Sequence, residues 1–438
     1  MLSLAQLGLI FKIIGYSFCA ISDTVHRSIR AKLHRLRYPR RPLPAPASPD
    51  PPDPRPTVLV IGASFAGYHA AKLLATALPP THRVVVVEPR SHFHFTWALP
   101  RYAVVPGHEA HAFIPYGGYL AAAPVGAVAW LRDAVVAVEA GGVARLRSGG
   151  EVRWDYVVVA TGAANGTAEE GVGRLMGGVE GKGEGVEVLR ASQEKVRQAR
   201  RIVVVGGGAV GVEVAADAKS EYPEKSVTLV HSREEVMGRF GKGLKDAARK
   251  GLEDLGVEVV LGERVVEREE GVVVLRSGRR VECDFLIDST GQKPVSGIVA
   301  DLSPSSVAES GHIRVKPTMQ IADDSLPNVY IAGEVAKTDV RNVNARSAME
   351  QATVAADNIL LAVKGKEPQV HYKSSWIDDS ILLTLGLKKD VMYISDSGTE
   401  LLFNSKSKGP SMNAAAAWRH MGAKPFADSE EVETKAAY

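Results

Sequence analysis

In VVVGGGAVGVE (203–213) three glycines follow a branched apolar run, and a glutamate closes the stretch. VLVIGASFAGYHAA (58–71) repeats the arrangement, with the first glycines, Gly62 and Gly206, 144 positions apart. A strand that ends in such a turn and opens a helix makes a pyrophosphate cradle. The first glycine permits the tight turn, the second lets the backbone approach phosphate, and the third lets helix pack on strand. Free N–H groups at the helix start then receive the anion. GGGAVG supplies Gly206, Gly208 and Gly211; GASFAG supplies Gly62, Ala63, Ser64, Phe65, Ala66 and Gly67, with a small hydroxyl residue at the middle position.

The residue that ends the next strand separates the two cradles. After THRVVVVE it is Glu88, 21 residues past Gly67, where a carboxylate grips adenosine ribose hydroxyls. After KSVTLV it is His231-Ser232-Arg233, with no acid to hold the ribose or repel a 2′-phosphate. The first unit therefore suits the adenosine of FAD. The second accepts NADPH as well as NADH, with Arg233 the candidate reader of the extra phosphate and a solvated surface arginine the plainer alternative.

Around these turns, short branched runs at 57–61, 84–88, 156–160, 201–205, 227–231, 257–261, 284–288 and 328–332 read as strands between helical stretches. That is α/β logic: two Rossmann-like doubly wound units, for FAD and for NAD(P)H, plus a small C-terminal α+β region. Two buried runs end in Thr-Gly, at Thr161-Gly162 and Thr290-Gly291, and suit chain crossings between the units. NVYIAGEVA (328–336) gives a strand, Gly333 and the acid Glu334. Ala345, Ala348, Ala352 and Ala355 then lie near one helix face, small enough to admit a flat ring. The expected boundaries are 57–190 and 289–365 for the FAD unit, 191–288 for the NAD(P)H unit and 366–438 for the C-terminal region.

The ends differ in character. Residues 1–41 carry +7 while the whole chain carries +3, which leaves the body at −4 and removes the electrostatic basis for a nucleic-acid role. LAQLGLIFKIIGYSFCAI (4–21) is apolar nearly all round. Val25, Ile29, Leu33 and Leu36 then recur at helical spacing among basic residues. Residues 1–41 are a membrane anchor or a mitochondrial presequence, the mitochondrion being the expected membrane and a cytoplasmic enzyme the alternative. Residues 42–56 are a proline-rich linker. Cys19 and Cys283 form no CxxC, which argues against a redox dithiol or a thiolate zinc site. His92 and His94 form an H-x-H pair without further ligands, and no metal is expected. REEVMGRF (233–240) reads as a solvated helix.

From about Thr57 to about Gly422 the chain resembles the apoptosis-inducing-factor-like and ferroptosis suppressor protein family, flavoproteins of the pyridine-nucleotide-disulfide-reductase fold, and more distantly type II NADH dehydrogenases. The stretch 200–232 is the most specific match, with SHFHFTWALPR, YVVVATG, IDSTGQKP and VYIAGEVA in the right order. The resemblance implies an FAD-dependent NAD(P)H:quinone oxidoreductase. It implies that residues 62–67 and Glu88 hold the ADP half of FAD, that Arg101 approaches the flavin, and that Val135 meets the adenine through its backbone. Position 334, where the family has Asp, would contact the ribityl-phosphate region, and Glu213 would lie near the nicotinamide. Two other classes stay open: a biosynthetic oxidoreductase acting on a secondary metabolite, and a signalling or DNA-binding flavoprotein.

Overall fold

The computed structural model describes residues 3–37, 53–165, 176–407 and 409–428. Most of the linker expected at 42–56 lies outside the described residues. The chain opens with α1 (Leu4–Arg37), one continuous helix where two successive segments were expected. The first unit follows with β1 (Thr57–Ile61), α2 (Phe65–Ala77), β2 (Arg83–Val87), β3 (Val128–Leu131) and β4 (Tyr156–Val159). The second contains β5 (Arg201–Val205), α3 (Ala209–Glu221), β6 (Ser226–Val230), α4 (Lys242–Leu255), β7 (Glu258–Val260) and β8 (Phe285–Asp288). The chain then returns to the first unit with β9 (Val329–Ile331) and α5 (Ala345–Ala362). An antiparallel sheet of β10 (Ile381–Thr384), β11 (Lys389–Asp396) and β12 (Thr399–Lys406) completes the order used below.

Both large sheets are parallel. The first runs β9-β4-β1-β2-β3 and the second β7-β6-β5-β8. Their strands are nearly all-apolar because helices and loops cover both faces; every residue of TVLVI in β1 is buried. The units share a plan down to an insertion. Each unit carries a three-stranded antiparallel meander, at 135–153 before β4 and at 265–282 before β8. The chain crosses between the units twice, at Ala163–Asn165 and Gln292–Pro294, and these segments pair antiparallel. The boundary expected at 190 falls inside a helix, Lys182–Gln198, whose charged face hides the break in composition.

One local expectation changes. Residues 233–240 are not helical: Val236 and Met237 are buried, and Met237 N–H donates to the Gly207 carbonyl at 2.7 Å, tucking the segment under the second glycine turn. Ala345, Ala348, Ala352 and Ala355 all lie in α5. They are buried, and α5 packs closely on α2, with the His69 ring bonded to Thr353 between the two helices at 3.1 Å. Small residues here shorten a helix–helix distance.

The units are pinned together in the interior. Arg101, expected near the flavin, instead directs its guanidinium into α3. Its Nε and Nη2 donate to the two Asp217 carboxylate oxygens at 2.9 and 2.8 Å, and Nη2 also donates to the Gly386 carbonyl at 3.1 Å. Arg101 and Asp217 are both fully buried. Removing one partner strands the other charge, so Arg101→Leu should destabilise the protein by about 3–5 kcal/mol. A double variant with Asp217→Leu should recover most of that loss. Thermal unfolding of the two proteins checks this, and a double variant as unstable as the single one would contradict the pairing.

Candidate active site

The two glycine turns have the same backbone geometry. Gly62 has φ +89° and Gly206 φ +111°, the left-handed region where a side chain is strained. A Cβ on Gly67 would lie 1.8 Å from the Gly62 carbonyl oxygen, and one on Gly211 1.8 Å from that of Gly206. No side chain fits at either, because helix and turn are in direct backbone contact. Gly208 is different: a Cβ there meets nothing within 4 Å, leaving clear space over the start of α3. Ser64, the N-cap of α2, makes no side-chain capping bond, so its hydroxyl is not committed to the helix. Phe65 stacks on Trp97 at 5.8 Å and meets Phe93 edge-on, fixing the helix start.

The strand-end residues occupy equivalent places. Glu88 accepts from Ala63 N–H at 2.6 Å and from Arg90 N–H at 2.9 Å. His231 Nδ1 accepts from Gly207 N–H at 3.0 Å. An imidazole thus takes over the backbone bond of a carboxylate without bringing its charge. Burial, helped by Arg233, lowers the His231 pKa, so the ring is neutral at physiological pH.

Around the first cradle, Thr161 Oγ1 donates to the Val295 carbonyl at 2.6 Å, and Val295 N–H donates to the Gly162 carbonyl at 2.9 Å. These bonds join the outgoing crossing to the returning one beside the first sheet. Gly333 (φ +86°) abuts Ala66: a Cβ there would come within 3.1 Å of the Ala66 methyl, so the Gly333–Glu334 turn sits against the start of α2. Gln351 on α5 is fully buried; its Oε1 accepts from Gly333 N–H at 2.8 Å, while its Nε2 has no partner. Glu334 is partly buried, and desolvation raises its pKa against the pull of Arg239. Val135 is buried and opens the first meander, opposite Leu146.

Glu213 projects from α3 into the seam with the C-terminal sheet. Thr384 donates to its Oε1 from both N–H, at 3.0 Å, and Oγ1, at 3.1 Å. Burial pushes its pKa up to about 7, aided by Asp217 and opposed by the Thr384 bonds and Arg101. This carboxyl therefore holds or releases a proton near neutrality.

Beyond β6 lies a cavity of about 410 Å³ lined by Gly206, His231, Ser232, Arg264, Arg268 and Asp288, among others. Arg233 does not line it; the Arg233 side chain lies along Gly238. Arg264 and Arg268, which reading the residues missed, take its place at the rim. The available signal was their position just after the third strand, in LGERVVER, where parallel strands deliver their ends to one crevice. His92 bonds Asp428 at 3.0 Å, and His94 is buried against Phe113 with Nε2 unpartnered. Among the described residues no three His, Cys, Asp or Glu gather as a metal-binding group.

A family model described as pyridine nucleotide-disulphide oxidoreductase matches residues 56–358. The chain belongs to that family. It is 33% identical over 340 residues to Fe-regulated protein 8 of Mycosarcoma maydis, covering 71% of this chain and 81% of the relative. It is 30% identical over 386 residues to human ferroptosis suppressor protein 1, covering 84% and 96%. Among solved structures, the sulfide:quinone oxidoreductase of Aquifex aeolicus shares the fold, with a TM-score of 0.66, 16% identity and coverage of 86% and 94%. The chain is thus a pyridine nucleotide oxidoreductase of the FAD-dependent kind. The residues fit the cofactor: a cradle that a Cβ on Gly67 would close, a strand-end carboxylate at the cradle, and an unpartnered buried amide beside the Gly333 turn.

The cradles predict opposite outcomes for the same substitution type. Gly67→Val should abolish flavin binding or folding, because the methyls meet backbone. Gly208→Val should fold with full flavin content yet lose bleaching by NADH, because its side chain fills only the nucleotide's space. Flavin absorbance before and after NADH addition checks both. Glu213 gives a pH prediction. Its folded pKa lies above the ordinary carboxylate value, so the fold holds this proton more tightly than the unfolded chain. The resulting stability is present at low pH and is lost as pH rises through about 7. Glu213→Gln should therefore gain on the parent by up to about 2–3 kcal/mol between pH 5 and pH 8. Parallel denaturation curves at the two pH values would expose a constant difference instead.

Proposed function

We propose that this chain is an FAD-dependent NAD(P)H:quinone oxidoreductase that works against a membrane. The observation that carries it is the pair of equivalent cradles with unlike strand ends, Glu88 in one and His231 in the other. Residues 62–67 would hold the FAD pyrophosphate on the start of α2, Glu88 the adenosine ribose, and the Val135 backbone the adenine. Thr161, Gly162, Gly333 and Glu334 would border the remainder, with Gln351 Nε2 as a further donor. Gly206, Gly208 and Gly211 would hold the nicotinamide dinucleotide. FAD, when bound, supplies two-electron chemistry between NAD(P)H and an acceptor.

The chain's own residues limit where electrons go next. With Cys19 exposed on α1 and Cys283 buried in the second unit, no protein dithiol stands in line, and a small acceptor is the outlet. A quinone fits an enzyme whose N-terminal helix is long and apolar enough to reach a membrane. The relatives named ferroptosis suppressor protein 1 and sulfide:quinone oxidoreductase support the same reading. Glu213 would keep a proton available where the acceptor's reduction requires one.

Nucleotide choice rests on the second strand end. The strand-end residue itself is no carboxylate, and Arg264 and Arg268 line the cavity beside His231 and Ser232, together with Glu263 and Asp288. An exposed arginine–phosphate pair contributes roughly 1.5 kcal/mol, about a tenfold effect. Purified full-length protein should oxidise NADPH and NADH, each faster with a short-chain quinone. Arg264→Ala should raise KM for NADPH up to about tenfold and leave that for NADH unchanged, while Arg233→Ala should affect neither. Oxidation no faster with quinone than with dissolved oxygen would remove the quinone assignment.

A further inference from the structure

The first helix is not a free tail. Gln6 Nε2 donates to the Glu400 carbonyl at 3.1 Å, Leu9 is buried, and Lys12 pairs with Asp396. Arg346 donates to the Tyr16 hydroxyl at 2.9 Å, and Arg27 makes a two-pronged pair with Asp357 at 3.2 and 2.9 Å. At about 100° per residue these positions share one face. The opposite face carries Leu4, Leu7, Phe11, Ile14, Phe18, Ile21, Val25, Ile29 and Leu33, all exposed, with Phe11 and Phe18 each more than 70% so.

The spacing of that stripe says what it meets. Eight steps cover 29 positions, about 3.6 residues each, which is the period of a straight helix. A stripe meant for a supercoiling partner repeats every 3.5. This one runs in a line and suits a flat apolar medium. Its length, about 44 Å at 1.5 Å per residue, exceeds the roughly 30 Å of a bilayer's hydrocarbon. A spanning helix would also bare Gln6, Lys12 and Arg27 to lipid after breaking their bonds to the body. Beyond Ile21 the sequence turns basic, with Lys32 in the helix and more cations up to Arg41, which matches anionic headgroups.

We infer that α1 lies in the plane of an anionic bilayer, its Leu4–Leu33 stripe sunk among the acyl chains while its other face stays bolted to the body. The protein is then monotopic, and the helix is a permanent part of the fold that sets the body's tilt on the membrane. This rests on the membrane reading of the proposed function and fixes its geometry.

Full-length protein should co-sediment with phosphatidylcholine vesicles containing phosphatidylglycerol and bind pure phosphatidylcholine less well. Phe11→Gln, Ile14→Gln and Phe18→Gln together should weaken vesicle binding more than about tenfold, with flavin content and turnover of a water-soluble quinone unchanged. In a Cys19→Ser background, a fluorophore at Phe11→Cys, Phe18→Cys or Ile29→Cys should be quenched by brominated lipids at one common shallow depth. A depth profile with position 18 deepest shows a spanning helix and overturns the inference while keeping the membrane. No sedimentation with either vesicle overturns both. If the triple variant instead splits a dimer in vesicle-free solution, the stripe belongs to a second copy and the inference falls.

Discussion

A single buried ion pair sets the frame in which everything else is placed. Arg101 belongs to the first nucleotide unit, Asp217 to the helix that opens on the second cradle, and Gly386, whose carbonyl shares the guanidinium, to the turn of the C-terminal sheet. Burying two charges is costly, and such a pair persists when its geometry satisfies nearly every donor and acceptor. Here the two-pronged geometry and the carbonyl do so. The pair therefore acts as a register pin: slide one unit past the other and a charge is left without a partner. Glu213, one helical turn before Asp217 on the same helix, owes its raised proton affinity first to burial, with Asp217 adding to it and Arg101 opposing it.

The parallel strands and both cradles were legible because each is a local pattern: a branched run, a glycine that needs positive φ, a helix start. All eight expected strands fall within one residue of the observed limits at both ends, and β1 and β5 coincide with theirs. The two meanders were not legible. Their strands alternate weakly, and their turns use the same glycines that fill the rest of the chain. Arg101 was misplaced for a different reason. Its identity and its neighbours match a flavin-side motif, but its partner lies 116 positions away, and nothing in the local residues announces a buried aspartate on another domain's helix. The alanines of α5 show a similar ambiguity. Small residues permit close approach, and only tertiary packing decides whether a ring or a helix approaches. Arg264 escaped notice because strand order, not sequence order, carries it to the rim beside His231.

The repeat of one plan within the chain also shows how little must change to divide two roles. In both units the strand end bonds the N–H that follows the first glycine. Glutamate does this with one carboxylate oxygen and takes the Arg90 N–H with the other. Histidine does it with a ring nitrogen and remains neutral. The backbone is satisfied equally, while the electrostatic character of the neighbouring crevice differs. Segment 233–240, tucked under the second turn through Met237, has no counterpart that the residue pattern revealed, and it supports a turn that is otherwise three glycines in succession.

The two crossings at Ala163–Asn165 and Gln292–Pro294 pair with each other, so the covalent connection between the nucleotide units is a two-stranded ribbon. A ribbon of that width resists stretching and lateral shear but yields readily to torsion about its long axis. Of the relative movements of the two units, the covalent connection itself therefore opposes a twist least. The ribbon also carries the Thr161–Val295 and Gly162–Val295 bonds that border the first cradle. A twist between the units is thereby coupled to the edge of the first cradle rather than taken up in a loose linker.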